Sequence, residues 1–320
     1  MMKDNTRARL KHRLIGAATA AVFVAGSIIG LTAPASPAAT HYPVGGLGTA
    51  LANYVFSPDQ VAGANDWSCQ PTAAHPYPVV LVHATAANLG ANWAMISPTL
   101  ANAGYCVFAF NYGMNPLLSL GRIGGLTDIA QSAAVMRDFV NKVLASTHAA
   151  KVDVIGHSQG GMMPNYYIKR LGGAAVVHTF IALAPSNHGT TLDGLTTLGA
   201  ELNILGFANN VFATLNLPAL TEQEVGSDFQ NALFGDGDTV AGPRYVVIET
   251  KHDEVVTPYT QAFLSGSNVT NILLQDQCPA DPVGHIAIFL DGPTVQDILN
   301  QLGADVPDFQ PTCTGYGLGA

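Results

Sequence analysis

The sequence predicts an α/β domain with a mainly parallel central sheet and helices on both faces. Three observations carry this. Short apolar runs rich in β-branched residues recur along the chain, as in Val79-Val80-Leu81-Val82, and a run without polar alternation is a strand buried on both faces. Segments with apolar residues at helical spacing separate the runs, and strand, helix, strand connections of that kind need crossovers, which make the strands parallel. The third observation is local: Gly156-His157-Ser158-Gln159-Gly160 follows the apolar run Val152-Asp153-Val154-Ile155 and precedes a helical stretch. A strand that turns sharply into a helix drives the turn residue to positive φ, and only glycine-sized neighbours leave room for that turn. Ser158 then stands exposed at the strand's end.

The elements follow in order. Residues 40 to 75 are a lead-in containing Pro, Ala and Gly, with a short helix around Gly45 to Tyr54. Pro76-Tyr77-Pro78 delivers the chain into the strand Val79–Val82. A loop of small residues, His83-Ala84-Thr85-Ala86-Ala87-Asn88, comes next, then a helix within Trp93 to Ala103 and a strand from Cys106 to Phe110. Met114 to Gly125 has no clear period and reads as a loop near the strand ends. From Thr127 to Thr147 apolar residues fall at Ile129, Met136, Phe139, Val140, Val143 and Leu144, which is helical spacing. Lys151 starts the strand into Ser158, the helix from Gly160 ends near Gly172-Gly173, and Val177 to Ala184 is another strand. Residues 185–243 break the rhythm with an apolar stretch, Leu192 to Leu220, followed by an acidic one, Glu222 to Asp238. This reads as an insertion over the strand ends, a partial lid. Strands resume at Tyr245 to Thr250 and Val269 to Leu274, and a last helix spans Thr294 to Leu302.

Composition limits the function classes. With 320 residues, 48% hydrophobic and 11% charged, the chain is globular rather than disordered. Lys3, Arg7, Arg9, Lys11 and Arg13 precede the apolar run Leu14 to Leu31, and small residues follow. That is the pattern of a secretory signal peptide, here residues 1–38, with an uncleaved anchor as the alternative. Residues 39–320 then form one domain. Cleavage removes five of the 13 basic residues and Asp4, leaving a formal charge of −13, which makes a nucleic-acid partner unexpected.

Four cysteines in an exported chain read as two disulfides, with three possible pairings. Cys69 with Cys106 and Cys278 with Cys313 join segments that the predicted fold brings near one another. No C-x-x-C spacing points to a metal, and the carboxylates Asp236 and Asp238 sit in a Gly-Asp-Gly-Asp run typical of a turn.

A serine hydroxyl is a weak nucleophile at neutral pH and needs a base, itself oriented by a third group. Asp253 lies three residues past the strand ending at Thr250, and His285 lies beyond the strand ending at Leu274. Both occupy loops after strands that follow Ser158. Glu254 is the alternative acid, and Asp281 is too close in sequence to His285 for that role. His157 adjoins Ser158 but cannot reach it in base geometry, His252 reads as a surface loop residue, and His178 as structural. A developing oxyanion needs backbone donors. The residue after the nucleophile, Gln159, supplies one, and the loop after the first strand, at Thr85, supplies the other, its hydroxyl joining its N–H.

From about residue 60 onward the chain resembles the secreted bacterial lipases and esterases of the α/β-hydrolase superfamily, and more distantly the fungal lipase B type. The residues that carry this, in order, are Val79 to Asn88, Gly156-His157-Ser158-Gln159-Gly160-Gly161, Ala184-Pro185-Ser186-Asn187-His188-Gly189-Thr190, Asp253-Glu254-Val255-Val256 and Gly284-His285. The resemblance implies an α/β-hydrolase fold, a triad of Ser158, Asp253 and His285, an oxyanion hole from Thr85 and Gln159, and ester hydrolysis without a cofactor or metal. One departure stands out: His83-Ala84 replaces the family's usual His-Gly. If that position takes positive φ, the alanine costs about 1 kcal/mol; if the glycine instead lets an acyl group approach, the methyl narrows the pocket.

The expectation is therefore a secreted serine carboxylic-ester hydrolase, a triacylglycerol lipase or lipase-like esterase, working as a monomer through a covalent acyl-enzyme on a small-molecule or lipid ester, with transient contact to a lipid interface. Met114 to Leu120 and Leu192 to Leu220 suggest an acyl pocket. A polyester depolymerase or acyltransferase uses the same triad, and a catalytically silent fold serving as a binding module is the alternative from another class.

Overall fold

The computed structural model of the chain describes residues 41–114, 121–204, 217–303 and 306–319. Residues 1–38, where a signal peptide is expected, residues 115–120 of the first apolar stretch and residues 205–216 of the second lie outside these.

Six parallel strands form one sheet in the order β2-β1-β3-β4-β5-β6: β1 (Val79–Val82), β2 (Val107–Phe110), β3 (Val152–His157), β4 (Val177–Leu183), β5 (Arg244–Glu249) and β6 (Val269–Leu273). Alternation along each strand explains the unbroken apolar runs. Val80, Val82, Val154 and Val247 face a core shared with Met136 and Val140 of α4 (Ile129–Thr147) and Met162 and Tyr167 of α5 (Gln159–Arg170). Val79, Leu81, Ile155 and Val246 face a second core with Leu100 of α3 (Ile96–Asn102) and Ile298 of α10 (Gly292–Leu302). A strand covered on both faces has no side that tolerates polar residues, hence its sequence. On edge strand β2, Asn65 donates to the carbonyls of Val107 and Ala109 and accepts the Ala109 N–H, occupying the edge.

Preceding the sheet is α1 (Leu47–Phe56). The helix expected within Trp93 to Ala103 is α3, Ile96–Asn102, and a further short helix precedes it: Asn88 caps α2 (Leu89–Asn92), accepting the Ala91 N–H. The irregular stretch after β4 holds α6 (Leu192–Ile204), α7 (Pro218–Glu222) and α8 (Asp228–Phe234), and α9 (Leu274–Gln277) follows β6. Disulfides link Cys69 to Cys106 and Cys278 to Cys313. The second holds the C-terminal segment beside α10, where Gly317 N–H donates to Asp291 and Gly284 N–H to the Leu318 carbonyl. No helix among the described residues is long and apolar enough to cross a membrane.

The strand order reverses at β1, which has β2 on one side and β3 on the other. In open parallel sheets the crevice at the carboxyl ends of such strands is where ligands bind.

Candidate active site

Ser158 sits at the end of β3 and opens α5 with φ 56° and ψ −122°, a conformation costly for any residue with a Cβ. Its surroundings permit nothing larger. A Cβ on Gly156 would run into the Gly160 carbonyl, and one on Gly160 into the carbonyls of Val82 and His83. The two glycines let the strand fold directly back onto its helix, while Ser158 N–H bonds the Leu183 carbonyl at 2.9 Å and its own carbonyl accepts from Gly161 and Met162.

Three residues from three loops converge there. His285 Nε2 lies 3.0 Å from Ser158 Oγ, and His285 Nδ1 lies 2.8 Å from Asp253 Oδ2. Asp253 Oδ1 accepts the N–H groups of Val255 at 2.8 Å and Val256 at 2.6 Å. An acidic partner at Nδ1 fixes the proton on that nitrogen and leaves Nε2 with a lone pair toward the serine hydroxyl. His285 is fully buried, Asp253 and Ser158 nearly so.

The other candidates take different places. Glu254 points its Oε2 at the His285 main-chain N–H, 3.3 Å away, rather than at the imidazole. His157 lies behind the site, its Nε2 3.1 Å from the His285 carbonyl, and burial followed by the neighbouring His285 holds it neutral, well below the usual histidine range. His178 pairs with Asp153 at 2.9 Å on the far side of β3 and β4. His252 is exposed, and Asp281 accepts the Val283 N–H. Asp236 pairs with Lys169 and Arg170, and Asp238 with His188 and the Ser265 N–H.

Facing Ser158 is the loop after β1. As the first residue of α5, Gln159 has an N–H with no acceptor in its helix. The Thr85 N–H meets no acceptor among the described residues, whereas its neighbours are committed: Ala84 N–H to Asn92 Oδ1 at 2.8 Å, and Ala86 N–H to the Gly124 carbonyl. Ala84 is not among the positive-φ residues; Ala86 is, at 57°. The penalty foreseen for alanine at position 84 therefore does not arise there, because the left-handed turn falls two residues later. The loop is braced from beneath by His83, which donates Nδ1–H to the Ala84 carbonyl at 2.8 Å and accepts the Tyr112 N–H at Nε2. Burial pushes His83 down to about 4, so it serves as a neutral donor and acceptor. A small cleft of about 60 Å³ over Ser158 is lined by Tyr54, Thr85, Ala86, Leu198, Ile286 and Phe289 among others.

Residues 76–296 match the family model for lipase (class 2), which spans the sheet from just before β1 into α10. The chain belongs to the class 2 lipase family. Among solved structures, this family member is similar to lipase B of Aspergillus fumigatus, at 23% identity and a TM-score of 0.57 over 78% of this chain and 61% of that one. The match thus spans about three fifths of lipase B's own length, and it shows the α/β-hydrolase fold. Weaker likenesses are to the mature lipase BlEst2 of Bacillus licheniformis, at 15% identity and TM-score 0.46 over 64% of this chain and 85% of that one, and to the monoacylglycerol lipase of Paleococcus ferrophilus, at 16% and 0.47 over 73% and 95%.

Three polar residues in this class 2 lipase site carry no signal in the sequence. Asn92 holds the loop through Ala84, Gln223 donates to Thr85 Oγ1 from the irregular stretch after β4, and Glu249 is buried at the end of β5 beside Asp253. Gln223 reaches the site across 138 positions, while Asn92 and Glu249 lie eight and four residues from their partners and acquire their roles only from how those short segments fold.

Proposed function

We propose that the chain is a secreted carboxylic-ester hydrolase, a triacylglycerol lipase or lipase-like esterase, acting through a covalent acyl-enzyme. The observation that carries this is the hydrogen-bonded series Ser158 Oγ, His285, Asp253, with spacings of 3.0 and 2.8 Å. Ser158 Oγ attacks the ester carbonyl carbon as its proton passes to His285 Nε2. Asp253 stabilises the imidazolium that forms without taking the proton. The oxygen of the tetrahedral adduct becomes negative and is met by the N–H groups of Gln159 and Thr85 and the Thr85 hydroxyl. His285 returns its proton to the departing alkoxide, releasing the alcohol. Water then enters, gives a proton to His285, and cleaves the acyl-Ser158 ester by the same steps in reverse roles.

The apolar lining of the cleft favours apolar acyl groups, and α6, which brings Leu198 to that cleft, belongs to a lid-like insertion over residues 185–243 of a single 39–320 domain. Export is supported by the two disulfides, since such bonds persist in oxidising compartments. The test is Ser158→Ala: loss of p-nitrophenyl ester hydrolysis and of labelling by a fluorophosphonate probe is expected, and retention of either activity overturns the proposal. A chain-length series of esters and emulsified triacylglycerols separates lipase from esterase.

A further inference from the structure

Glu249 ends β5 with its side chain fully buried, level with the apolar Leu273 of β6, while Leu183 of β4 pairs with the preceding Ile248. Its Oε1 accepts the Thr250 N–H at 2.8 Å, but its buried Oε2 meets no N–H or O–H donor among the described residues. The Asp253 carboxyl, four residues on, lies close enough to act on it both as a hydrogen-bonding group and as a like charge. Two ionised carboxylates offer each other only acceptors and repel, so a contact of this kind holds when one of them carries a proton. The donors decide which. Asp253 receives N–H groups from Val255, Val256 and His285, whereas among the described residues Glu249 receives only that of Thr250. Asp253 is therefore the anion and Glu249 the acid. The charged groups nearest Glu249 act the same way: burial first, then Asp253 and Glu254, hold its carboxyl well above the usual carboxylate range. From the loop after β6 the titratable group facing this pair is His285, already engaged with Asp253.

We infer that Glu249 is a positioning residue, whose neutral carboxyl donates an O–H hydrogen bond to the Asp253 carboxylate and holds it against His285. The inference rests on the serine-hydrolase reading above, in which Asp253 orients His285. The extra donor spreads the negative charge of Asp253 and so limits how far Asp253 raises the proton affinity of His285. Without it, the carboxylate loses one restraint on its orientation, and the imidazole holds its proton more tightly.

The experiment compares wild type, Glu249→Gln, Glu249→Met and Ser158→Ala on a soluble short-chain p-nitrophenyl ester, measuring kcat, KM and the pH profile of kcat/KM, with folding followed by circular dichroism. Glutamine keeps an N–H donor toward Asp253 and is expected to hold kcat within about threefold, with the acid limb of kcat/KM in place. Methionine keeps the bulk but not the donor, and is expected to lower kcat on the order of tenfold or more at little-changed KM, with the acid limb moved to higher pH. A methionine variant with wild-type kcat and acid limb overturns the inference, as does a folded glutamine variant that loses as much as methionine. If methionine fails to fold, glutamine decides alone, a wild-type-like profile supporting the donor role and a shifted acid limb or tenfold loss refuting it. Ser158→Ala separates the two levels: activity retained there overturns the hydrolase reading itself, whereas an inactive Ser158→Ala beside a wild-type-like Glu249→Met overturns only the role of Glu249.

Discussion

Gln223 donates its side-chain N–H to Thr85 Oγ1 at 3.1 Å, joining residues 138 positions apart. Gln159 Nε2 donates to the same oxygen at 3.1 Å. With both lone pairs of the hydroxyl taken, its proton is the one bond left to make. That proton is directed at Gln223 Oε1, 3.5 Å away, which also accepts from Ser186 at 2.9 Å. The bond is long and weak, so the pair of amides fixes the Thr85 hydroxyl where a developing oxyanion competes successfully for its proton.

Gln223→Leu is expected to lower kcat by about tenfold with little change in KM, because the interaction it supports is made in the transition state. Thr85→Val, which keeps the main-chain N–H and removes the hydroxyl, should lower kcat on the order of 100-fold. Steady-state kinetics on one soluble ester checks both, and an unchanged kcat in the leucine variant would remove Gln223 from this role.

Ala84→Gly tests the departure from the family pattern. Since Ala84 does not occupy the left-handed region, glycine relieves no strain and adds freedom to the unfolded chain, so a loss of about 0.5–1 kcal/mol in stability is expected. Activity should stay within about threefold on short and long esters, as the Ala84 N–H is bonded to Asn92 rather than pointed at substrate. Asn92→Leu, in contrast, strands that buried N–H and should lower both melting temperature and kcat. Thermal denaturation alongside the kinetics distinguishes the two variants.

Stability should fall as pH rises through the neutral range. Asp297 is buried in α10 with one oxygen lacking a hydrogen-bond partner among the described residues, and burial pushes it up to about 7. An acid whose folded pKa exceeds its unfolded value binds its proton more tightly when folded, so its contribution is full below the unfolded value near 4 and is lost as pH climbs toward 7. Asp297→Asn should flatten this part of the profile, stabilising the protein at pH 8 by about 1 kcal/mol or more relative to wild type. Urea melts at pH 5 and pH 8 measure the difference, and equal slopes in the two proteins would contradict it.

The disulfide Cys278–Cys313 encloses the loop that carries His285. Removing a cross-link of this loop length should cost roughly 3 to 4 kcal/mol. Because the C-terminal segment bonds Gly284 directly before His285, the Cys278→Ser, Cys313→Ser double variant should also lose activity below its melting temperature. The same replacement at Cys69 and Cys106, at the other edge of the sheet, should affect stability with a smaller effect on kcat. Assaying both pairs at 20 °C and recording their melts makes the comparison.

Much of this was legible in one dimension because the signals are local. Continuous apolar runs become doubly covered strands, helical spacing becomes helices, and Gly156 and Gly160 flank Ser158 because nothing with a Cβ fits there. The order of Ser158, Asp253 and His285 along the chain matched loops that a parallel sheet brings to one end. Sequence favoured Asp253 but left Glu254 open as the acid, since adjacent residues in a loop differ in which way each points. Geometry separates them, with Asp253 at the imidazole and Glu254 at a main-chain N–H.

The sequence by itself determined the α/β class, the strained turn at Ser158 and the family, because each depends on residue size, polarity and period over a few neighbouring positions. Only the tertiary structure decided what braces the site: Gln223 on Thr85, Asn92 on Ala84 and Glu249 on Asp253. One of those contacts joins residues 138 positions apart and the others are made within a turn or a short helix, and in each a buried amide or carboxyl acquires its role from the partner that packing sets beside it.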